Sequence, residues 1–514
     1  MMLNFGGKCP KKGVTAELSR CFLRFLCYDS GMSEKIIGRI AEQKQIRDCL
    51  ESDKSELVSV FGRRRVGKTF LIKQCFNEEF DFWFTGMYQM SRAQQLGQFS
   101  LTLSEKTGEK RTKIKDWFEA FDLLKKYLLS LGKDRVVVFL DELPWMDTPR
   151  SSFLQAFSFF WNMWPSNRTL LKLYVCGSAT TWMIKNFVGD KGGLYGRVTC
   201  SIYLVPFCLG ETEEFLSRVK HMDLNRHRIL ELYMILGGIP YYLDMLNRDL
   251  PLSKNIDNLF FRENAVLKTE YEFLFRSLFN DSKPYRKVIE ALSQKLKGLT
   301  REEIMKVTDI RDGGTLTEIL DNLRLCDFIR EYNSIGKKKR NRIYQLTDLF
   351  SLFYLNFVEN GNSQDENFWS NIAFSGRENS WAGYSFEQVC LHHIRQIKSR
   401  LGILGVLSNV YSWSCPGFTD EDGTKWKGGQ IDLLIDRNDE VINICELKYA
   451  SAKYEITESY EEHLRERASL FRKKTGTRKA LHHTFITTYG VKQNRHSGIV
   501  QSEVTMDDLF ENPK

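Results

Sequence analysis

The segment with the most specific chemistry is a run of eight residues with glycine at its first and sixth positions and Lys-Thr at its end. Its members are Gly62, Arg63, Arg64, Arg65, Val66, Gly67, Lys68 and Thr69. The apolar run 57–61 precedes it, and residues 70–76, beginning with Phe70, follow with helical spacing. In this strand, loop and helix order, the glycines let backbone N–H groups surround phosphate oxygens. We therefore expect a nucleotide-binding P-loop, with Lys68 at the β and γ phosphates and Thr69 as a Mg²⁺ ligand.

A second apolar run ends in two acids. Residues 136–140 are Val-Val-Val-Phe-Leu, and Asp141 and Glu142 follow directly. A continuous apolar run is typical of a buried parallel strand, which presents its last side chains at the carboxyl edge of a sheet. We expect Asp141 to hold Mg²⁺ and Glu142 to orient or deprotonate the water that attacks ATP.

With these two motifs, the chain resembles the archaeal-type P-loop ATPase family, which is related to AAA+ and STAND ATPases. Further segments are similar to the family's GRxxE box, next core strand, LYGR motif and lid GxP motif, at residues 37–42, 173–178, 194–197 and 237–242. The resemblance implies that Arg39 and Pro240 lie near the nucleotide base. It also implies that Ser178 is positioned to sense the γ-phosphate.

Several arginines have more than one interpretation. The resemblance implies that Arg197 is a sensor or an arginine finger, whereas a structural arginine at a helix C-terminus is the alternative. Arg63, Arg64 and Arg65 either add phosphate contacts or meet a neighbouring subunit. Because AAA+ relatives form rings and STAND-like relatives are often monomers until activated, a homo-oligomer is one expected state.

Residues 283–348 predict short helices followed by two short strands. Thr300 is predicted as an N-cap, and Glu303 completes a capping box with it. The strands flank residues 336–341, which include four consecutive cations. This order is typical of a winged helix, and a basic hairpin tip suits DNA phosphate contacts. A solubilising hairpin and a protein-contact module are the alternatives.

The last part of the chain contains a second set of acids. Residues 430–436 and 441–448 are predicted as two strands joined by a turn, which places Glu446 and Lys448 on one face beside Asp432. Two carboxylates can hold Mg²⁺, and a lysine can help to activate water for attack on a phosphodiester. The sequence therefore predicts a metal site formed by Asp432 and Glu446.

This arrangement resembles the PD-(D/E)XK nuclease superfamily, with Ile431 where the name-giving proline would stand. The resemblance implies that Glu387, in a preceding helix, is a third acidic residue of the site. A nuclease-like fold kept only for binding is the alternative.

Composition limits the class of protein. The twelve cysteines are scattered without a CxxC pair, so we expect reduced thiols and a cytoplasmic protein rather than a zinc ribbon or a disulfide framework. No apolar stretch approaches the ~18 to 20 residues that span a bilayer, so no membrane partner is expected. The net charge of +9 permits a nucleic-acid partner without requiring one.

The predicted fold class is α/β. It combines a P-loop NTPase core, a helical lid, a winged helix and a C-terminal α/β restriction-endonuclease-like domain. The predicted boundaries are 1–32 for a dispensable extension, 33–205 for the core, 206–282 for the lid, 283–360 for the winged helix and 361–514 for the nuclease-like domain.

The predicted function is ATP binding and hydrolysis coupled to a Mg²⁺-dependent nuclease-like domain in nucleic-acid processing, with DNA as the expected partner. The alternative is a regulatory or signalling ATPase whose nuclease-like domain only binds DNA or a partner.

Overall fold

The computed structural model describes residues 36–189, 192–279, 281–332, 342–359, 365–372, 376–421 and 423–512. Two predicted features, the extension 1–32 and the basic segment 336–341, lie outside these ranges. The nine cysteines within the ranges are free thiols. None of the helices in the described part of the chain combines the length and the apolar character that crossing a bilayer requires.

The first part of the chain alternates strands with helices. Its elements are, in chain order, α1 (Ile40–Glu51), β1 (Glu56–Phe61), α2 (Lys68–Cys75), β2 (Phe82–Thr85), α3 (Arg92–Thr107), α4 (Trp117–Ser130), β3 (Arg135–Asp141), α5 (Phe153–Asn162), β4 (Leu170–Gly177), α6 (Thr180–Trp182) and β5 (Cys200–Tyr203). The strands form one parallel sheet in the order β2-β3-β4-β1-β5. Strand β1 is buried along its whole length, because helices cover both faces of the sheet. Parallel alignment brings the carboxyl ends of β1, β3 and β4 to one edge, where chemistry is expected.

A helical segment follows the sheet. Its helices are α7 (Leu209–Arg218), α8 (Arg226–Leu236), α9 (Pro240–Asp244), α10 (Leu252–Ile256) and α11 (Val266–Leu278). Gly237 and Gly238 directly follow helix α8, and both have positive φ angles, of 67° and 66°. A Cβ atom on Gly238 would lie 2.3 Å from the carbonyl oxygen of Phe207, so this turn requires glycine. The turn directs the chain into α9 at Pro240.

The next unit combines three helices with a small antiparallel sheet. Its elements are α12 (Lys283–Gln294), β6 (Leu299–Thr300), α13 (Arg301–Thr308), α14 (Gly314–Leu325), β7 (Ile329–Tyr332) and β8 (Ile343–Leu346). The strand order is β6-β8-β7. The predicted capping box is confirmed, because the backbone N–H of Glu303 donates to Thr300 and the N–H of Thr300 donates to Glu303. The helices and strands therefore occur in the order that the sequence predicted.

An aromatic cluster joins this unit to the rest of the chain. It lies on α15 (Leu349–Phe353), the π-helical segment Tyr354–Glu359, α16 (Phe368–Ile372) and α17 (Gly376–His392), which α18 (Ile394–Arg400) follows. The rings of Phe353, Phe357, Trp369 and Trp381 contact one another at centroid distances of 5.0 to 5.8 Å. Such pairs stabilise beyond their buried area.

The C-terminal part is built on a mixed sheet. Its elements are β9 (Ser408–Cys415), β10 (Phe418–Thr419), β11 (Lys425–Trp426), β12 (Gly429–Arg437), β13 (Val441–Lys448), α19 (Glu458–Thr475), β14 (Ala480–Thr487), β15 (Ser502–Thr505) and α20 (Met506–Phe510). The sheet order is β15-β14-β13-β12-β9, with β10 and β11 forming a separate hairpin. Strands β12 and β13 pair antiparallel, as predicted, and β13, β14 and β15 run parallel. The pairing of β12 with β9 shifts between Ile431 and Leu434, which places an irregularity around Asp432.

Candidate functional site

The glycine-rich loop lies between β1 and α2, at the carboxyl edge of the first sheet. Gly62 and Gly67 have φ angles of 146° and 92°. A Cβ atom on Gly62 would lie 2.2 Å from the carbonyl oxygen of Leu204, so no other residue fits there without a shift of the backbone. Val66 is buried beneath the loop, whereas Phe70 on α2 is 51% exposed. The loop thus has the close backbone packing that a phosphate cradle needs.

Lys68 is buried at the start of α2 and is bonded to its own loop. Its ammonium donates to the carbonyl oxygens of Gly62 at 3.1 Å and Arg63 at 2.8 Å. Burial lowers the pKa of Lys68, and the negative charge of Glu142 opposes that shift. A nucleotide phosphate would replace the two carbonyls as a stronger, charged acceptor.

Thr69 and Asp141 meet beside the loop. The Thr69 hydroxyl lies 3.0 Å from Oδ1 and 3.2 Å from Oδ2 of Asp141. The thiol of Cys176, at the end of β4, donates to Oδ1 of Asp141 at 2.6 Å. Burial raises the pKa of Asp141, and the hydrogen bond from Cys176 opposes the shift. A hydroxyl and a carboxylate at this spacing are oxygen donors that suit Mg²⁺.

Glu142 follows Asp141 with a left-handed backbone, at a φ angle of 49°. The Ser178 hydroxyl donates to Glu142 Oε1 at 2.5 Å, and the Ser178 backbone N–H donates to Oε2 at 3.2 Å. Both oxygens of the carboxylate are therefore held from the end of β4. Such a carboxylate has a fixed orientation from which to accept a proton from water.

The predicted acids of the C-terminal part lie on three elements, with Glu446 on β13, Asp432 on β12 and Glu387 on α17. Glu446 and Lys448 are close together on β13, with Nζ 3.6 Å from Oε2, as the predicted strand period requires. Oε2 of Glu446 also accepts from the Tyr460 hydroxyl at 2.5 Å, and Oε1 pairs with Arg467. Asp432 on β12 accepts from the side chain of Gln430 at 2.5 Å.

Glu387 on α17 is influenced by the same charges. Burial is the main cause that raises its pKa, and the negative charge of Asp432 raises it further, while Lys448 and Arg330 oppose the shift. The acids therefore repel one another, which a cation would relieve.

The structure does not test the predicted metal site of Asp432 and Glu446. Across the described ranges, no three His, Cys, Asp or Glu side chains converge closely enough to hold a metal ion. Arg467 and Tyr460 engage the oxygens of Glu446, and Gln430 engages Asp432. The assignment of Asp432 and Glu446 as metal ligands therefore stays a prediction.

Comparison with known proteins decides the class of the first part of the chain. Residues 37–246 match the profile of a family described as an ATPase domain predominantly from Archaea. This segment is a P-loop ATPase domain. It contains the glycine-rich loop, Asp141, Glu142 and Ser178, and it covers less than half of the chain.

Other similarities extend further along the chain. An uncharacterized protein of Methanocaldococcus jannaschii is 25% identical over 424 residues, which cover 81% of this chain and 88% of that protein. The structure of a Walker-type ATPase of Pyrococcus abyssi matches with 20% identity and a TM-score of 0.47, covering 63% of this chain and 97% of that one. The ORC2 protein of Aeropyrum pernix, solved in ADPNP-ADP complexes, matches with 13% identity and a TM-score of 0.40, covering 63% and 94%.

The two residues predicted to lie near the base, Arg39 and Pro240, come before and after the loop in the sequence of the ATPase domain. Arg39 is buried, and its guanidinium donates to the carbonyl oxygen of Val205 at 2.6 Å while its backbone N–H donates to Glu211 at 3.0 Å. Arg39 therefore ties the segment before α1 to the start of α7. Pro240 begins α9, next to Tyr241, whose ring lies 4.0 Å from the Arg65 guanidinium of the loop.

The side chains of the three loop arginines have separate surroundings. Arg63 pairs with Asp348, the residue that directly precedes α15. Arg65 pairs with Glu270 of α11. Arg64 is exposed. The side chains of Arg63 and Arg65 thus contact other parts of the same chain, and no local pattern in the sequence predicts these contacts.

Arg197 lies at the wrong edge of the sheet for a sensor within its own subunit. Together with Asp53, Ser55 and Leu170 it lines a cavity of about 420 Å³ at the amino ends of β1 and β4. The loop lies at the opposite, carboxyl end of β1, and six strand residues span about 20 Å. The predicted sensor role within one subunit is therefore wrong, whereas a finger that reaches another subunit is compatible with this position.

Sequence reasoning missed the residues that hold the acids. Tyr460 and Arg467 are seven residues apart on α19, so they lie on one face of that helix and both reach Glu446. The sequence shows this spacing. The contact with Glu446, however, could be predicted only from the packing of α19 beside β13. Cys176 was also missed, since a lone cysteine at a strand end has no distinctive pattern.

Proposed function

We propose that the ATPase domain works with Mg²⁺ and that its nucleotide cycle controls nucleic-acid processing by the C-terminal half of the chain. The observation that supports this most directly is the 3.0 Å contact between Thr69 and Asp141, at the same sheet edge as the contact between Glu142 and Ser178. A pair of oxygen donors and a held carboxylate beside a P-loop are the groups that phosphoryl transfer to water uses.

Each residue has a separate task in this proposal. Lys68 exchanges the carbonyls of its own loop for the β and γ phosphates. Thr69 and Asp141 would hold Mg²⁺, which when bound neutralises charge on the phosphates. Glu142, fixed by Ser178, accepts the proton of the attacking water.

Substitution of Glu142 by glutamine tests this assignment. The amide keeps the shape of the side chain but cannot accept the proton, so turnover should fall by roughly 10² or more while ATP still binds. The matched control is Glu79→Gln at an exposed position. Wild-type turnover in Glu142→Gln would remove Glu142 from the proposed mechanism.

For the C-terminal domain we infer a Mg²⁺-dependent nuclease that acts on DNA. The repulsion between Glu387 and Asp432 and the adjacent Lys448 support this inference, because a divalent cation would relieve the repulsion and the lysine would orient water. A cation at Glu446 would compete with Arg467, so cleavage requires that ion pair to open. The three-helix unit is proposed as a winged helix that contacts DNA phosphates.

The second candidate is a regulatory ATPase whose C-terminal domain binds DNA or a protein without cutting it. The ion pair of Glu446 with Arg467 and the hydrogen bond that it accepts from Tyr460 favour this candidate. Mg²⁺-dependent cleavage of linear, circular and branched DNA separates the two, with Glu446→Ala and the exposed control Glu462→Ala compared against the wild type. Cleavage that disappears only in Glu446→Ala supports the nuclease. Cleavage that persists in Glu446→Ala, or no cleavage by any protein, supports the regulatory function.

A further inference from the structure

Two arginines of the P-loop are held by carboxylates that lie outside the ATPase family match of residues 37–246. Arg63 forms a two-point contact with Asp348, one of whose bonds measures 3.2 Å. The side chains of both residues are almost fully buried, at 4% and 3% exposure. The Arg63 guanidinium also lies 4.9 Å from the centroid of the Phe328 ring. The loop is therefore attached to the segment that joins the three-helix unit to α15.

Arg65 makes the second attachment. Its Nε lies 2.7 Å from Oε1 of Glu270, and its Nη2 donates to Oε2 at 2.8 Å. The hydroxyl of Tyr242 donates to the same Glu270 at 3.1 Å. Arg65 has a φ angle of 72°, in the left-handed region that non-glycine residues rarely adopt. Such a conformation persists when the surroundings determine it, and Glu270 together with the Tyr241 ring provides those surroundings.

Asp348 contacts helix α15 as well as Arg63 of the loop. Its Oδ2 also accepts the backbone N–H of Ser351 at 2.9 Å and so caps helix α15. On the other side, the carbonyl oxygen of Arg63 is one of the two acceptors that hold Lys68. A continuous path of bonds therefore runs from the phosphate-binding lysine through Arg63 and Asp348 to α15.

The burial of the Arg63 pair makes it sensitive to changes on either side. A buried charge that loses its partner is strongly unfavourable, so Arg63 cannot simply leave Asp348 without finding another anion. The side chain thereby fixes its own backbone, and that backbone forms the wall of the phosphate site. Arg65 and Glu270 act on the same loop from the helical segment.

We propose that Asp348 and Glu270 are positioning residues for the nucleotide site, which act through Arg63 and Arg65. This inference rests on the ATPase function and names a regulation of that site. Because coupling is reciprocal, the two carboxylates raise nucleotide affinity, and a bound nucleotide stabilises the packing of α11 and α15 against the loop. The ATPase domain is then complete only with residues from the rest of the chain.

The test compares neutralised carboxylates with matched controls in the full chain. Asp348→Asn and Glu270→Gln should each weaken ATP and ADP binding by about tenfold, with a smaller effect on turnover at saturating ATP, because they disturb the site before chemistry. Asp312→Asn and Glu272→Gln remove exposed ion-pair carboxylates from the same regions and should bind nucleotide like the wild type. Wild-type affinity in both Asp348→Asn and Glu270→Gln would overturn the proposal.

A second measurement tests the proposed role of Asp348 if the Asp348→Asn variant fails to fold. Amide hydrogen exchange in α15 of the wild type should slow when ATP or ADP binds. The double variant Arg63→Met with Asp348→Leu replaces the buried pair by apolar side chains of similar volume and should lose this slowing. Binding of nucleotide without any change of exchange in α15 of the wild type would contradict the inference and leave the ATPase assignment intact. A wild type that does not bind nucleotide would instead contradict the proposed function.

Discussion

In the proposed mechanism, the contact between Ser178 and Glu142 orients the attacking water. The hydroxyl of Ser178 is 2.5 Å from the carboxylate. We expect Ser178→Ala to lower kcat by about tenfold, because a hydrogen bond to a charged group is lost. KM should change little, since the loop that binds the phosphates is untouched. Steady-state ATP hydrolysis measures both constants, with the exposed Ser130→Ala as the control. A raised KM with unchanged kcat would show that Ser178 binds nucleotide rather than holding Glu142.

Cys176 donates a hydrogen bond to Asp141, the second acid beside the P-loop. Burial raises the pKa of its thiol well above the usual range, so the thiol stays protonated and donates to Asp141. We expect Cys176→Ser to keep this donor and hydrolyse ATP at near the normal Mg²⁺ concentration. Cys176→Ala should require several times more Mg²⁺ for half-maximal rate, since Asp141 loses a hydrogen bond that orients it. An identical Mg²⁺ requirement in the serine and alanine variants would contradict this role.

At this scale the sequence predicted which residues meet at the P-loop better than it predicted the residues that hold them in place. Lys68, Thr69 and Asp141 follow from local motifs, because loop, helix and strand end are adjacent in the chain or in the sheet. The partners of Arg63 could not be predicted, since Asp348 lies 285 residues away. Contacts of that kind depend on how domains pack.

His393 joins two helical elements, and we expect it to make their packing sensitive to pH. It is fully buried between α17 and α18, its Nε2 accepts the backbone N–H of Leu209 at 2.9 Å, and its Nδ1–H donates to the carbonyl of Val389. Burial lowers its pKa to about 4. The helix α7 is thereby fixed to the C-terminal part by a neutral imidazole.

The direction of the pH effect follows from proton binding. Between about pH 6.5 and pH 4, the unfolded chain binds a proton at His393 that the folded chain does not, so the free energy of unfolding falls as the pH falls through this window. His393→Gln keeps an acceptor for Leu209 and cannot titrate, so its unfolding midpoint should fall less between pH 7.5 and pH 4.5. The exposed His463→Gln is the control for denaturant unfolding. Equal losses in all three proteins would contradict this account.

Patterns of neighbouring residues predicted the helices and strands. They did not predict how distant helices and strands pack against one another. The capping box of α13 and the hairpin of β12 and β13 are specified by neighbouring residues, and both are confirmed. The irregularity of β12 around Asp432 depends on its pairing with β9, which no local pattern reveals. The partners of Glu446 could not be predicted for a related reason, because α19 brings Arg467 to it from 21 residues away.

For the whole molecule, the position of Arg197 predicts that subunits cooperate if the residue takes part in hydrolysis. It lies at the sheet edge opposite its own loop, so it can reach only the nucleotide of another subunit. We expect Arg197→Ala and Lys68→Ala to be inactive alone and to regain part of the activity when mixed, because one protein supplies the intact loop and the other the arginine. The measurement is ATP hydrolysis against the mixing ratio. Activity of Arg197→Ala equal to that of the wild type would contradict a role for Arg197.

The measurement that tests the central claim most directly is Mg²⁺-dependent ATP hydrolysis by the wild type and by Lys68→Ala. Lys68 is the buried cation of the loop, and its removal leaves no ammonium for the β and γ phosphates. The exposed Lys44→Ala on α1 is the matched control. The account predicts hydrolysis by the wild type and by Lys44→Ala, and a loss of at least about 10² in Lys68→Ala. Hydrolysis at the wild-type rate in Lys68→Ala would contradict it.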